Sequence, residues 1–161
     1  DRGNYVTLNL VCDTSGSMSE AGKPFIMRTL VTSVAQWVLY GHGHTEITLW
    51  AWGSDVCRIA DWDTNSEYPD ELLSCAGTAN GLLLIQSLGD KPDGKVLILT
   101  DGFWSRDDAR NLRRWMGGLP SNTLRTIKLG PDANPQFKGT NIFESEELFA
   151  ALDGWLEGGG T

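Results

Sequence analysis

The stretch that most constrains the fold is Lys95 to Thr100, KVLILT, a run of four consecutive apolar residues bounded by polar ones. A strand with apolar side chains on both parities has no solvent face. It predicts a strand in the middle of a sheet covered on both sides. Tyr5 to Cys12 (YVTLNLVC) reads as a second buried strand, and Glu46 to Trp52 (EITLWAW) as a third. Val56 to Trp62 follows the tight Gly53-Ser54-Asp55 turn, so it is expected to pair with the strand before it as a short antiparallel edge. Asn122 to Leu129 (NTLRTIKL) is a further strand.

Between the strands the period changes. From Pro24 to Tyr40 the apolar residues Phe25, Ile26, Leu30, Val34, Trp37 and Val38 recur at helical spacing, and Gly41 marks a stop. Ala79 to Leu88, Arg106 to Met116 and Ser145 to Leu156 read as three more helices, the last opening on Ser145, Glu146 and Glu147 as a capping pattern. Strands alternating with helices predict an α/β fold: a three-layer, doubly wound, Rossmann-like sheet, mostly parallel, with one short antiparallel edge strand and helices on both faces. The expected division is one domain over residues 1–157, with 158–161 as a Gly-rich tail or the start of a linker.

Composition narrows the function. The chain of 161 residues carries 21 acidic and 13 basic side chains, a net charge of −8, which repels a phosphate backbone and argues against nucleic acid. The densest basic stretch, Arg106 to Arg114, also holds Asp107 and Asp108 and reads as a solvated helix face. No apolar run is long enough to span a membrane. Cys12, Cys57 and Cys75 are too few for a disulfide framework and lack zinc-ligand spacing, so they are expected as small buried hydrophobes in a reducing compartment. His42 and His44 are expected in solvent at the far end of the sheet.

In doubly wound folds ligands bind beyond the carboxyl ends of the strands, where strand order reverses. The loop after the first strand reads Asp13-Thr14-Ser15-Gly16-Ser17, with a carboxylate and two hydroxyls at alternate positions and a glycine that permits a tight turn. The loop after KVLILT opens Thr100-Asp101-Gly102, a second carboxylate at a second strand end. Gly77-Thr78, ahead of the helix at 79–88, offers a third hydroxyl. Oxygen donors without imidazole or thiolate suit Mg²⁺, Mn²⁺ or Ca²⁺.

These residues carry a resemblance. DxSxS at Asp13, Ser15 and Ser17, then Thr78, then TDG at Asp101 resemble the metal-ion-dependent adhesion site (MIDAS) of von Willebrand factor A domains, and the order of strands and helices resembles theirs over nearly the whole chain. One position departs: many members have Gly-Gly-Thr where this chain has Ala76-Gly77-Thr78. The resemblance implies that Ser15 and Ser17 ligate a Mg²⁺, with Mn²⁺ or Ca²⁺ as substitutes. It implies that Thr78 ligates directly or through water, and that Asp13 and Asp101 act through water. A cation with few charged direct ligands stays electrophilic and takes a carboxylate from a partner protein. Met18 and Trp104 are expected either on the rim of that contact or packed between the loops. LVCDTSGSM and LILTDG resemble bacterial intracellular members, which implies a cytoplasmic setting and partners such as an AAA+ ATPase or a kinase or phosphatase system. The resemblance also implies that the last helix, Ser145 to Leu156, can move with the site. The rival reading is a Mg²⁺-dependent phosphatase or phosphotransferase on a similar sheet. Ser15 stands where such an enzyme carries a second carboxylate, and no Lys follows the central strand to steady a phosphate.

Overall fold

The computed structural model describes residues 6–41 and 44–156. The strands and helices of the described residues run β1 (Val6–Asp13), α1 (Lys23–Gly41), β2 (Thr45–Trp52), β3 (Val56–Arg58), α2 (Gly81–Leu88), β4 (Lys95–Thr100), α3 (Arg106–Gly118), β5 (Leu124–Lys128), β6 (Ile142–Glu144) and α4 (Leu148–Leu152), in the expected order apart from the added β6. The six strands form one sheet in the order β3-β2-β1-β4-β5-β6. All neighbours pair in parallel except β2 and β3, where Trp50 to Trp52 oppose Arg58 to Val56. The expected α/β class and the antiparallel edge are both present.

Strand parity builds the two cores. Leu8, Leu10 and Cys12 of β1 and Leu97 and Leu99 of β4 face one side, where Leu30 and Val34 of α1 and Leu148 and Leu152 of α4 cover them. Val11, Val96 and Ile98 face the other side, under Leu84 of α2 and Leu112 and Trp115 of α3. KVLILT therefore feeds both layers, which is why it lacks a polar face. Trp52 is fully buried in the second core, with half-buried Trp50 beside it on the same face of the strand. Asn80 and Ser105 cap α2 and α3, accepting from the backbone N–H of Leu83 and Asp108.

The structure corrects three local expectations. Helical structure does not run from Ser145 to Leu156: a 3₁₀ turn at Ser145–Glu147 leads into α4, which ends at Leu152. Its capping box is Glu144 with Glu147, one residue earlier than expected. Gly154 adopts φ +75°, turning the chain so that Trp155 and Leu156 still reach the core and prolong the apolar period. β6 was not foreseen, because three residues are too short to show a period. Of the cysteines only Cys12 is buried; Cys57 is exposed on the edge strand. His44 is exposed, while His42, Tyr5 and the glycine tail lie outside the described residues.

Strand order reverses between β1 and β4: the chain goes from β1 outward to β2 on one side and returns to β4 on the other. The crevice at their carboxyl ends is set by Asp13 and by Thr100–Asp101. Since Leu97 has no exposed surface in the strand that holds that crevice, Leu97→Ala is expected to cost about 3 kcal/mol, read as a lower urea midpoint with an unchanged slope.

Candidate metal centre

Three loops meet at the crevice, and main-chain bonds fix their spacing. The Thr14 N–H donates to the Trp52 carbonyl at 2.8 Å, the Gly16 N–H to the Gly77 carbonyl at 2.8 Å, and the Ala76 N–H to the Thr14 carbonyl at 3.0 Å. The DTSGS loop and the Ala76-Gly77-Thr78 loop are thus laced together, despite the departure at Ala76. Gly77 has φ +71°, a left-handed value that favours glycine, at the point where the lacing requires the turn. On the other flank the Asn134 N–H donates to the Asp101 carbonyl at 3.0 Å, and the Asn134 side chain donates to the Gly102 carbonyl at 3.1 Å.

Asp13 and Asp101 are the buried acids, 1% and 0% exposed. Asp13 Oδ1 accepts from the Ser15 N–H at 2.8 Å and from the Ser15 hydroxyl at 2.7 Å. Its Oδ2 accepts from the Thr100 hydroxyl at 2.5 Å. Thr100 Oγ1 in turn accepts from the Gly102 N–H and from the Trp104 indole N–H, each at 3.2 Å. Asp101 Oδ1 accepts from the Phe103 N–H at 3.1 Å, and its Oδ2 accepts from the Lys23 ammonium at 3.1 Å. Burial pushes the Asp13 carboxyl up to about 6, against the lowering effect of the Thr100 and Ser15 hydrogen bonds, and the nearby Asp101 charge adds to the rise.

Of the five expected site residues, Asp13, Ser15 and Asp101 are buried in the crevice, Ser17 is half-buried and Thr78 is exposed on the laced loop. Among the described residues the Ser17 and Thr78 hydroxyls have no hydrogen-bond partner. The donor chemistry fits a hard divalent cation: carboxylates and hydroxyls, with the neighbouring Cys12 thiol pushed far up by burial and so kept protonated. Among the described residues no cluster of three or more His, Cys, Asp or Glu converges on one point, so a cation here would depend on the hydroxyls.

One rim expectation fails. Met18 is 1% exposed: the 3₁₀ turn at Gly16–Ser19 rotates it into the core beneath α1. Trp104 is half-buried, its ring centroid 5.7 Å from Trp52 and 4.7 Å from Phe137. Phe103 beside it is exposed, at 45%. Sequence reading missed Thr100, which joins the two strand ends, and Lys23, whose ammonium also reaches Asp132 on the loop after β5. No sequence signal marked Lys23, because a lysine opening a helix opposes the helix dipole only weakly and can sit in solvent without a tertiary partner.

No protein-family model matches the sequence, and no curated protein matches it. Solved structures do match in shape. The manganese-loaded TRAP protein of Plasmodium vivax superposes with a TM-score of 0.66 at 14% identity, over 96% of this chain and 74% of that one. The SpRpn10 VWA domain gives 0.58 at 12% identity, over 87% and 86%. An aerotolerance-related membrane protein of Bacteroides fragilis gives 0.52 at 15% identity, over 96% and 88%. At such identities the likeness establishes the fold, that of a von Willebrand factor A domain.

The Asp13 shift sets a pH dependence in metal-free protein. The folded chain holds this proton more tightly than the unfolded chain, whose value is near 3.8. The resulting stabilisation is complete below that value and is lost as pH rises through about 6. Thermal melts in EDTA are expected to fall across this window, by up to about 3 kcal/mol, and Asp13→Asn is expected to flatten the profile.

Proposed function

We propose that this domain is a protein-interaction module that binds a partner's Asp or Glu through a divalent cation held by Ser15, Ser17 and Thr78, with Asp13 and Asp101 anchoring through water. The observation that carries the reading is the division of labour among the oxygens. Both carboxylates are buried and already hydrogen-bonded within the loops, whereas the Ser17 and Thr78 hydroxyls have no partner among the described residues. Neutral hydroxyls are thus the groups left to face an ion. When bound, the cation supplies an electrophilic position that a carboxylate from outside completes. The carboxylates keep their charge one step back, orienting the hydroxyls and waters. The net charge of −8 supports the reading, since an acidic surface attracts an acidic partner only across a cation.

The ion is proposed to be Mg²⁺, with Mn²⁺ and Ca²⁺ compatible with the same donors. A cytoplasmic bacterial setting, with an AAA+ ATPase or a kinase or phosphatase system as partner, belongs to the same proposal and rests on the resemblance of LVCDTSGSM and LILTDG alone. No helix among the described residues is long and apolar enough to cross a membrane.

A phosphotransferase reading gains one point from the structure, because Lys23 places a cation in the crevice after all. That ammonium is 1% exposed and is held by Asp101 and Asp132, so it is not presented to a phosphate. The domain is accordingly proposed as a binder and not an enzyme.

Capture of partner proteins from a lysate of the source cells is expected with Mg²⁺ and is expected to vanish in EDTA. Asp13→Ala and Ser15→Ala are each expected to reduce it more than tenfold while the far-ultraviolet spectrum is kept. Capture equal in Mg²⁺ and EDTA, or Mg²⁺-dependent hydrolysis of a phosphoester abolished by Asp13→Ala, would overturn the proposal.

A further inference from the structure

The crevice contains a cation that belongs to the chain. Lys23 is the first residue of α1, where the helix dipole disfavours positive charge, and yet its side chain is 1% exposed. Its ammonium donates to Asp101 Oδ2 at 3.1 Å, to Asp132 Oδ2 at 3.2 Å and to the Ser17 carbonyl at 3.1 Å. The Phe103 ring lies 5.7 Å away and closes one side. The stem runs against Gly130, where φ is +93° and an added Cβ would come within 2.8 Å of Lys23 Cε. Three N–H donors therefore meet three oxygens, one each from the loops after β1, β4 and β5. The lysine satisfies its own valence and ties together the loops that carry the proposed site.

Two of those partners differ in kind. Asp132 is 47% exposed, so solvent screens its charge. Asp101 has no exposure, and a buried carboxylate without a counter-charge is costly. Lys23 removes that cost at Asp101, the carboxylate also proposed to anchor a metal. An ammonium at this distance opposes a second cation in the same crevice, and low polarity around the pair strengthens the opposition.

We propose that Lys23 is an internal counter-cation of the crevice: it keeps the three loops assembled when no metal is present, and it lowers the affinity of the site for metal by competing for Asp101. The competition rests on the metal-binding reading above; the assembly of the loops does not. Asp13 and Asp101 with Lys23 leave one net negative charge among the buried groups, against two without the lysine. The site is thereby set to hold its ion loosely, and its fold does not depend on the ion.

The test uses the whole domain and Mn²⁺ alone as probe. Free Mn²⁺ is followed by electron paramagnetic resonance during titration of the wild type and of Lys23→Met, which keeps the apolar stem and removes the charge. Lys23→Met is expected to bind Mn²⁺ at least about tenfold more tightly, and to melt below the wild type in EDTA. The double variant K23M/D101N, which removes both charges of the pair, is expected to regain most of the lost melting temperature. If Lys23→Met alone does not fold, a folded double variant supports the pairing and an unfolded one overturns it. Wild-type binding with equal or weaker affinity in Lys23→Met overturns the competition and leaves the metal reading intact. Binding by neither protein overturns the metal reading and the competition together. The EDTA melts then decide the counter-cation role: a double variant no more stable than Lys23→Met overturns it.

Discussion

The arrangement of the crevice follows from the burial of two carboxylates at adjacent strand ends. Asp13 and Asp101 have almost no contact with solvent, and β1 and β4 are neighbours in the sheet. Like charges so placed raise each other's energy unless something answers them. The chain answers with the Ser15 and Thr100 hydroxyls on Asp13, and with the Phe103 N–H and the Lys23 ammonium on Asp101. The two acids are therefore treated differently. Asp13 receives neutral donors and is left with an elevated proton affinity; Asp101 receives a full charge.

That asymmetry depends on topology. Asp13 is the last residue of β1 and Asp101 the first after β4, so both are positioned by strands whose apolar side chains fill two cores. A strand anchored on both faces cannot slide or rotate at low cost. The loops beyond it inherit that rigidity through the Gly16 to Gly77, Ala76 to Thr14 and Asn134 to Asp101 main-chain bonds. Thr100 extends the same logic, with its hydroxyl donating to Asp13 while accepting from Gly102 and Trp104. Trp104 is thereby drawn inward onto Trp52 and Phe137, and Phe103 is the aromatic left at the surface.

The legible parts of the sequence were those governed by local pattern. KVLILT could only be a two-faced strand, and the helix at 24–40 showed its period over four turns. The antiparallel β3 was legible because the Gly53-Ser54-Asp55 turn leaves no room for a crossover. The oxygen-bearing residues were legible because DTSGS and TDG follow strands directly. What escaped depended on rotation or on distance. Met18 was expected to face outward because it adjoins Ser17, but a 3₁₀ turn advances each residue by about 120°, and that step carries it into the core. The end of α4 was hidden because Trp155 and Leu156 remain buried after Gly154 has broken the helix, so burial and helicity part company there. Lys23 meets Asp101 across 78 residues of sequence, a contact no local pattern encodes.

The placement of Lys23 also bears on the proposed role of an acidic partner. Under the proposed reading, a dication added to Asp13, Asp101 and Lys23 leaves the buried groups with one net positive charge. Without the lysine the same groups would be neutral and indifferent to a further anion. A residual positive charge in a crevice of low polarity is itself unfavourable, and one carboxylate cancels it. On this argument the weak hold on the ion and the affinity for an acidic partner have a single origin. The lysine that stabilises the empty crevice leaves the loaded one short of one negative charge. Asp132 is half-exposed and already paired with Lys23, so under this reading the missing charge comes from another molecule.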